Sequence, residues 1–294
     1  MPQPASIGYA TMLGVGASAP TTKEIEFISC DLAARAQQVQ SDGIRGLRGR
    51  QAESVVDGVT EVSGLLVLEP RADELAALLP FILGGTPAGN SYPLADALPP
   101  FVVDLAKVAD VYRCAGCKVN RATFQSSRNR PLQLSLEIQA LTETGGVTFP
   151  AISGSLSTQP PFIHHQAALT LSGAAYACDN ISVVIDNGLI TDRYLNSRTR
   201  VSLPEADRVV TLAADFPFTT DLSSLYNLAV AGLPGAVSWT SGALQLAFTF
   251  AALQAPTIGP AIEAKGRELV RRISFQARRL GATAELITTC AATP

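Results

Sequence analysis

The sequence has few charged residues for its length. Aspartate, glutamate, lysine and arginine make up 16% of its 294 residues, well below the usual quarter, and the formal net charge is −3. This balance provides no overall basic character for tight binding of nucleic acid or of an anionic membrane. A surface with so few charges must be covered in another way. Repeated self-association is one way, and small neutral residues are another.

Segments typical of secreted or membrane proteins are also missing. The five cysteines are odd in number and scattered, which argues against a secreted disulfide framework. No apolar run approaches the ~20 residues of a membrane-spanning helix, and MPQPASIGYATMLGVG lacks the basic start of a secretory signal. We therefore expect a soluble protein made in a reducing cytoplasm, with one large or two ordinary domains.

The sequence contains no recognisable set of catalytic residues. Its only histidines are the adjacent His164 and His165; neighbours on a strand point to opposite faces, and no third metal ligand lies nearby. Neither a G-x-S-x-G elbow nor a G-x-x-x-x-G-K-[ST] phosphate loop is present. Carboxylate pairs that are distant along the chain stay open, but nothing argues for one. We predict no catalytic residue, no cofactor and no metal.

Two short motifs have simple structural explanations. The segment GVGASA from Gly14 fits a loose dinucleotide fingerprint, but Pro20 and two threonines follow where a helix should begin, which favours a flexible N-terminal arm. The segment CAGC, from Cys114 to Cys117, is a single C-x-x-C without a second pair of cysteines. It favours a turn between strands with two small buried thiols.

Similar segments recur at about half the chain length. EPRADELAALLPFILGGTP from Glu69 resembles FPFTTDLSSLYNLAVAGLP from Phe216, without a gap and at an offset of 147 residues. RATFQSSR from Arg121 resembles RRISFQAR from Arg271, with Arg121 opposite Arg272, and the short SDGI resembles the later DNGL. Three matches in the same order predict an internal duplication.

Each copy contains a strand, then a helix, then further strands. Alternating runs at 59–68 and 209–218 predict the strands. Apolar residues at helical spacing predict helices over 75–82, which a Gly-Gly pair ends, and over 220–229. The predicted fold class is therefore mainly β: a β-sandwich or barrel with one flanking helix per unit, in two tandem units.

The predicted domain boundaries follow from this repeat. Residues 1–40 form an N-terminal arm and first strand, 41–150 the first unit, 151–164 a linker within a stretch rich in Gly, Ser, Thr and Pro, and 165–294 the second unit. Before its strand–helix pair, each unit has a long loop that contains three arginines. They are Arg45, Arg48 and Arg50 in the first loop, and Arg193, Arg198 and Arg200 in the second.

Three stretches resemble a known family, the siphophage tail tube proteins. GVTEVSGLLVLEPRADELAALLPFILGG is similar to that family's strand–helix unit, and VYRCAGCKVNRATFQSSRNRPLQLSLEIQA to its G-C-x-V-N strand. ISVVIDNGLITDRY, leading into VVTLAADFPF, is similar to its D-N-G-L strand before a long loop. The resemblance runs from about Gly43 to the C-terminus. It implies a β-sandwich with a flanking helix, whose sheets join around a ring that lines a central channel.

The resemblance implies a structural protein of the virion tail, assembled in the bacterial host cytoplasm, that forms stacked rings for DNA passage. Its implied partners are further copies of itself, the tape measure protein, the tail terminator and distal tail proteins, with genomic DNA passing transiently and no membrane. Because a two-unit chain supplies two positions of a sixfold ring, we predict a trimeric, pseudo-sixfold ring. A true hexamer is the alternative.

Passing DNA must slide, and each lysine or arginine that holds a phosphate adds salt-dependent affinity. We therefore expect a neutral to acidic channel wall, although the same acidic residues could also lie on a solvated outer face. The candidates for this wall are Glu137, Glu143, Asp186 and Asp215. The six loop arginines are candidates for contacts between rings, or ordinary solvated charge. We also expect that deleting the first ~20 residues leaves rings but impairs their stacking.

Other classes of protein remain open. A tail terminator or a contractile-system tube has a related fold and also forms rings. A β-rich carbohydrate- or receptor-binding module would favour exposed aromatic clusters, whereas aromatics are only 6% here, with the single tryptophan Trp239. A hydrolase is the third alternative, and it lacks any recognisable site.

Overall fold

A computed structural model of the chain describes residues 12–43, 52–108, 110–151, 156–217, 232–255 and 270–292. Strands account for 57% of the structure and helices for 8%, which confirms the predicted mainly β fold. The strands are β1 Met12–Gly16, β2 Lys23–Ile25, β3 Ser29–Cys30, β4 Ala33–Gln40, β5 Val55–Leu68, β6 Ser91–Tyr92, β7 Phe101–Lys107, β8 Asp110–Ser127, β9 Gln133–Ala140, β10 Thr142–Thr144, β11 Ala167–Leu171, β12 Ala174–Tyr176, β13 Asn180–Asp186, β14 Val209–Pro217, β15 Leu233–Ser241, β16 Leu244–Gln254, β17 Val270–Arg278 and β18 Leu286–Ala291. The helix α1 is Ala72–Leu83, and short 3-10 helices lie at Ala52–Ser54 and His164–Gln166.

Seven strands form one continuous antiparallel sheet, here called the large sheet. Its order is β4–β5–β9–β8–β13–β14–β17. The first half of the chain, up to residue 150, contributes β4, β5, β9 and β8, and the second half contributes the rest. β8 pairs with β13 from Arg121 opposite Asp186 to Ser127 opposite Asn180. The two halves therefore share one sheet.

Two smaller antiparallel sheets complete the core. The first has the order β2–β1–β7–β8–β10, and the second has the order β12–β11–β15–β16–β18–β6. The long strands β8 and β16 each belong to a small sheet and also reach the large sheet. Phe124 of β8 contacts Phe248 of β16 with ring centroids 4.9 Å apart, and Trp239 packs on Phe248. One cluster of buried apolar side chains thus joins the sheets.

β8 passes from the first small sheet to the large sheet at Cys114–Cys117. Cys114 pairs with Val103 and Cys117 with Phe101, so β8 has one residue more than β7 over this stretch, a β-bulge. Gly116 has φ 64°, in the left-handed region that favours glycine. Both thiols are buried, as predicted, and burial raises the pKa of Cys114 to about 12. The predicted turn is wrong, because the strand continues through the bulge.

The start of the described chain is part of the core. β1 lies between β2 and β7, and its Leu13 and Val15 side chains are buried. The flexible arm predicted around Gly14 is therefore wrong for these residues. Deleting the first ~20 residues would remove a paired strand of the fold, so that deletion cannot isolate a stacking contact. Residues 1–11 lie outside the described part of the chain.

The helix α1 confirms the first predicted helix and its end. Gly84 follows the last turn with φ 86°, and its backbone N–H donates to Pro80. At the start, the fully buried Glu74 accepts a hydrogen bond from the backbone N–H of Arg71 at 2.9 Å, and burial raises the pKa of Glu74. The second predicted helix, over 220–229, lies outside the described residues.

The strand pairings of the first half recur in the second half. Seven pairings have counterparts: β1–β2 and β11–β12, β1–β7 and β11–β15, β7–β8 and β15–β16, β8–β9 and β16–β17, β8–β10 and β16–β18, β5–β9 and β14–β17, and β4–β5 and β13–β14. A tandem duplication would produce this arrangement, although the duplication itself stays a prediction. In this correspondence β17 matches β9, and β8 matches β16. The similar segments RATFQSSR in β8 and RRISFQAR in β17 therefore do not lie in equivalent strands.

Gly116→Ala should lower the free energy of unfolding more than Gly146→Ala does. Both glycines have positive φ, 64° and 72°, so a side chain at either costs about 1–2 kcal/mol of backbone strain. A Cβ at position 116 would also lie 2.7 Å from Leu141 Cδ1, whereas one at 146 meets nothing within 4 Å. Chemical denaturation should show an additional loss of about 1 kcal/mol or more for Gly116→Ala. Equal losses would mean that Leu141 moves aside without cost.

Candidate functional site

The face of the large sheet opposite the core is polar. Because side chains alternate between the two faces of a strand, the buried residues of β9 and β13 lie on one face and polar residues lie on the other. Most of these polar side chains are short and uncharged. They include Thr123, Gln125, Ser135, Ser182 and Thr211.

A row of three charged residues crosses the middle of this polar face. Arg121 lies in register between Glu137 on β9 and Asp186 on β13. Its Nη2 is 2.6 Å from an oxygen of Asp186, and its Nη1 is 3.4 Å from an oxygen of Glu137. The row spans the junction between the two halves. The negative charges of two carboxylates thus compensate the positive charge of one half-exposed guanidinium.

Three of the four predicted acidic residues lie on the polar face. Besides the two that contact Arg121, Asp215 on β14 accepts a hydrogen bond from Asn180 Nδ2 at 2.8 Å. Glu143 lies elsewhere, on β10 of the first small sheet. There its carboxylate accepts a hydrogen bond from the backbone N–H of Ala34 at 3.0 Å.

β4 is the end strand of the large sheet. It pairs with β5 on one side, and no strand in the described ranges pairs with the other side. Ala34 donates its N–H to Glu143, away from β5, and by alternation the N–H of Ala36 points the same way. The side chains near the tip of the β4–β5 pair are exposed, with Val39 at 59% and Val56 at 64%. An open edge of this kind is a template for pairing with another strand.

The loop between β13 and β14 folds over the polar face of the first half. At its centre Arg200 is only 5% exposed. Its Nη1 donates to the carbonyl of Val62 at 3.1 Å and to Gln139 Oε1 at 2.7 Å, and its Nε donates to the carbonyl of Thr191 at 2.9 Å. The guanidinium is therefore committed to contacts inside this chain.

A second contact anchors the same loop. Lys118 Nζ lies 2.6 Å from Glu205 Oε1 and donates to the carbonyl of Leu203 at 2.9 Å. Lys118 is also in register with Gln139, the residue that binds Arg200. The loop of the second half thus covers a continuous row of the first half.

The other two arginines of this loop are at the surface. Arg198 Nη2 lies 3.1 Å from an oxygen of Asp57, and both side chains are more than half exposed. Arg193 is exposed as well. The first-loop candidates Arg45, Arg48 and Arg50 lie outside the described residues.

Both ring nitrogens of His164 have hydrogen-bond partners within the fold. His164 Nε2 is 3.2 Å from the carbonyl of Cys178, and its Nδ1 is 2.9 Å from the hydroxyl of the buried Ser126. Because a carbonyl only accepts, we assign the proton to Nε2 and the acceptor role to Nδ1. Within the described ranges, no group of three or more His, Cys, Asp and Glu could hold a metal ion. No helix there is long and apolar enough to cross a membrane.

Sequence reasoning missed the roles of Arg121, Gln139 and Lys118. Each occupies an ordinary polar position of an alternating strand, so its own segment carries no signal of a special role. Their partners come from strands and a loop that are 16 to 87 residues away along the chain. Only the register of the sheet brings them together.

Arg200→Ala should destabilise the fold, whereas Arg193→Ala should not. Removing Arg200 leaves the acceptors on Val62, Thr191 and Gln139 without this donor, at a cost of about 2–4 kcal/mol. The exposed Arg193 is the matched control, with an expected change within about 0.5 kcal/mol. Chemical denaturation of the unassembled chain measures both. Equal stability of the two variants would contradict the role assigned to Arg200.

The comparison with known proteins agrees with this architecture. No curated protein matches the sequence. The family model described as phage tail tube protein matches residues 4–278, which includes strands of the large sheet and of both small sheets. The chain therefore belongs to the phage tail tube protein family.

Proposed function

We propose that this chain is the repeating subunit of a phage tail tube, and that its rings stack around a channel for DNA. Family membership supports a structural role in the tail of the virion. The proposal that rings form is supported mainly by the open edge of β4. This edge ends a sheet that already continues from one half of the chain into the other.

We infer the strand pairing between neighbouring copies from the pairing of β8 with β13, which joins the two halves inside one chain. β13 corresponds to β4, and its partner β8 corresponds to β16. By this correspondence, β4 of the next copy would pair beside the end of β16. Residues 256–269, which follow β16, lie outside the described part of the chain. Such a ring closes without a free edge. With two units per chain, three copies complete a pseudo-sixfold ring, and a hexamer with the same contact is the alternative.

Ala36→Pro should prevent ring formation without unfolding the chain. Proline lacks the N–H that we expect to pair with the next copy, and it is tolerated at the open side of an edge strand. Ala36→Val keeps the N–H and is the matched control. Native mass spectrometry and end-on electron microscopy should find rings of three 30.8-kDa chains for the control and monomers for the proline variant.

Two results would contradict this assignment of the edge. Rings from the proline variant at the same concentration as the parent would exclude pairing at Ala36. Rings of six chains would keep the β4 contact but reject the trimer. An unchanged melting temperature of the monomeric proline variant confirms that the loss concerns assembly and not folding.

The polar face of the large sheet is our candidate for the channel wall. Its short uncharged side chains offer little that would hold a phosphate, and its acidic candidates are Glu137, Asp186 and Asp215. The exposed Arg121 could bind a phosphate only by giving up its carboxylate partners. Glu143 lies on a different sheet and is no longer part of the proposed wall.

Replacing Glu137 and Asp186 together by Gln and Asn should make assembled tubes bind DNA. The double variant leaves Arg121 without compensating charge, so short duplex DNA should bind with an affinity that falls as salt rises. Adding Arg121→Gln is the control and should abolish the binding. Fluorescence anisotropy over a salt series measures the effect. Failure of the double variant to bind would argue that this face is not a channel wall.

Stacking of rings and contacts with the tape measure, terminator and distal tail proteins complete the proposal. The exposed tip of the β4–β5 pair and the surface arginines Arg193 and Arg198 are candidates for contacts between rings, together with Arg45, Arg48 and Arg50. Assembly in the bacterial host cytoplasm belongs to the same proposal. A tail terminator would stop at one ring, so long tubes at high protein concentration favour the tube subunit.

A further inference from the structure

A cavity of about 540 Å³, here called the end cavity, lies at one end of the large sheet, beside the residue that follows β13. Segments from both halves of the chain line it: residues 95–98, the β13–β14 loop and the turn between β17 and β18. Four carboxylates and two guanidiniums belong to its wall, so negative charge predominates. They are those of Asp96, Glu205, Asp207, Glu285, Arg208 and Arg279.

Two of the four carboxylates in the end cavity already have a basic partner. Glu205 and Glu285 each form an ion pair with a basic side chain of the same chain, at 2.6 Å and 2.9 Å. Asp96 and Asp207 are exposed, and neither forms an ion pair or a side-chain hydrogen bond within the described ranges. Arg279 is exposed as well. The cavity thus offers two free carboxylates to one free guanidinium.

A buried amide adds a further acceptor to the end cavity. Asn187 lines the cavity and is only 3% exposed. Its Nδ2 donates to the carbonyls of Ile82 and Val119 at 3.1 Å and 3.0 Å, whereas no donor in the described part of the chain contacts its Oδ1. The two free carboxylates and this amide oxygen all accept hydrogen bonds. A guanidinium, which only donates, is their chemical complement.

The turn between β8 and β9 lies at the opposite end of the same sheet. β8 pairs with β13 from Arg121 opposite Asp186 to Ser127 opposite Asn180. The end cavity adjoins the first of these pairs, and the β8–β9 turn follows the last. Six residues of strand separate them, which is about 20 Å. A side chain of this turn therefore cannot reach the end cavity of its own chain.

The β8–β9 turn presents two arginines on a backbone with fixed hydrogen bonds. The N–H of Arg130 donates to the carbonyl of Ser127 at 3.1 Å, and its carbonyl accepts from the N–H of His164 at 3.3 Å. Asn129 has φ 59°, and it is exposed together with Arg130 and Arg128. Neither arginine side chain has an ion pair or a hydrogen bond within the described residues.

We propose that the β8–β9 turn of one copy enters the end cavity of a second copy in the adjacent ring. There Arg128 and Arg130 donate to the two free carboxylates and to Asn187 Oδ1. The contact rests on the proposed rings, which extend the sheet sideways and so direct its strand ends toward the rings above and below. Because the two surfaces lie at opposite ends of one chain, the contact is head to tail and repeats without closing.

Charge reversal at the two surfaces tests the contact. The turn variant carries Arg128→Asp with Arg130→Asp, and the cavity variant carries Asp96→Arg with Asp207→Arg. Each brings like charges together, so each should form rings but need at least about tenfold more protein to form tubes. The combined variant restores opposite charges and should form tubes near the parental concentration. Electron microscopy and sedimentation over a concentration series measure this threshold.

Arg279→Asp is the matched control for the turn variant. It makes the same change of charge inside the end cavity, where a negative charge favours the incoming arginines, and should not raise the concentration needed for tubes. Because all four reversed residues are exposed, the unassembled variants should also keep the parental melting temperature.

The outcomes separate this contact from the ring itself. Tubes at the parental concentration from either single-surface variant would overturn the contact and leave the proposed ring in place. Loss of tubes without recovery in the combined variant would also overturn it, because opposite charge would then not be what joins the two surfaces. Absence of rings from the parent chain would reject the proposed ring and the contact together.

Discussion

The ladder between β8 and β13 is the interaction on which the rest of the structure depends. Backbone groups at a sheet edge need partners, and this ladder satisfies them where the first half meets the second. It brings Arg121 between Glu137 and Asp186, and it starts the β13–β14 loop beside the row that Arg200 covers. Without this ladder, β8 and β13 would each present an additional open edge. With it, the described large sheet has two end strands.

Two long strands connect the large sheet with the small sheets. β8 and β16 each leave the large sheet and continue into a small sheet, so their side chains contribute to both layers. The change of direction in β8 needs an extra residue and a glycine with positive φ at 116. The contact of Phe124 with Phe248 then joins the bent strands across the interior.

The small number of charged residues is evident on the polar face of the large sheet. On the polar face the strands carry mainly hydroxyl and amide side chains, and the central cation Arg121 lies between two carboxylates. A loop partly covers this face in the first half, and the described residues of the second half line a cavity of about 590 Å³ there. The chain's own β13–β14 loop thus covers only one part of this face within the described ranges.

The sequence by itself determined the local structure. Alternation of apolar residues predicts strands, helical spacing predicts α1 with its end at Gly84, and the isolated C-x-x-C predicts buried thiols, since each of these depends on neighbours along the chain. The resemblance to tail tube proteins also came from contiguous segments. Tertiary structure alone decided that β1 is a paired core strand, that Glu143 lies apart from the other acidic candidates, and that Arg200 is buried. These facts depend on strand register and on which strands become neighbours, and a shift of one residue in register would reverse the face on which every side chain lies.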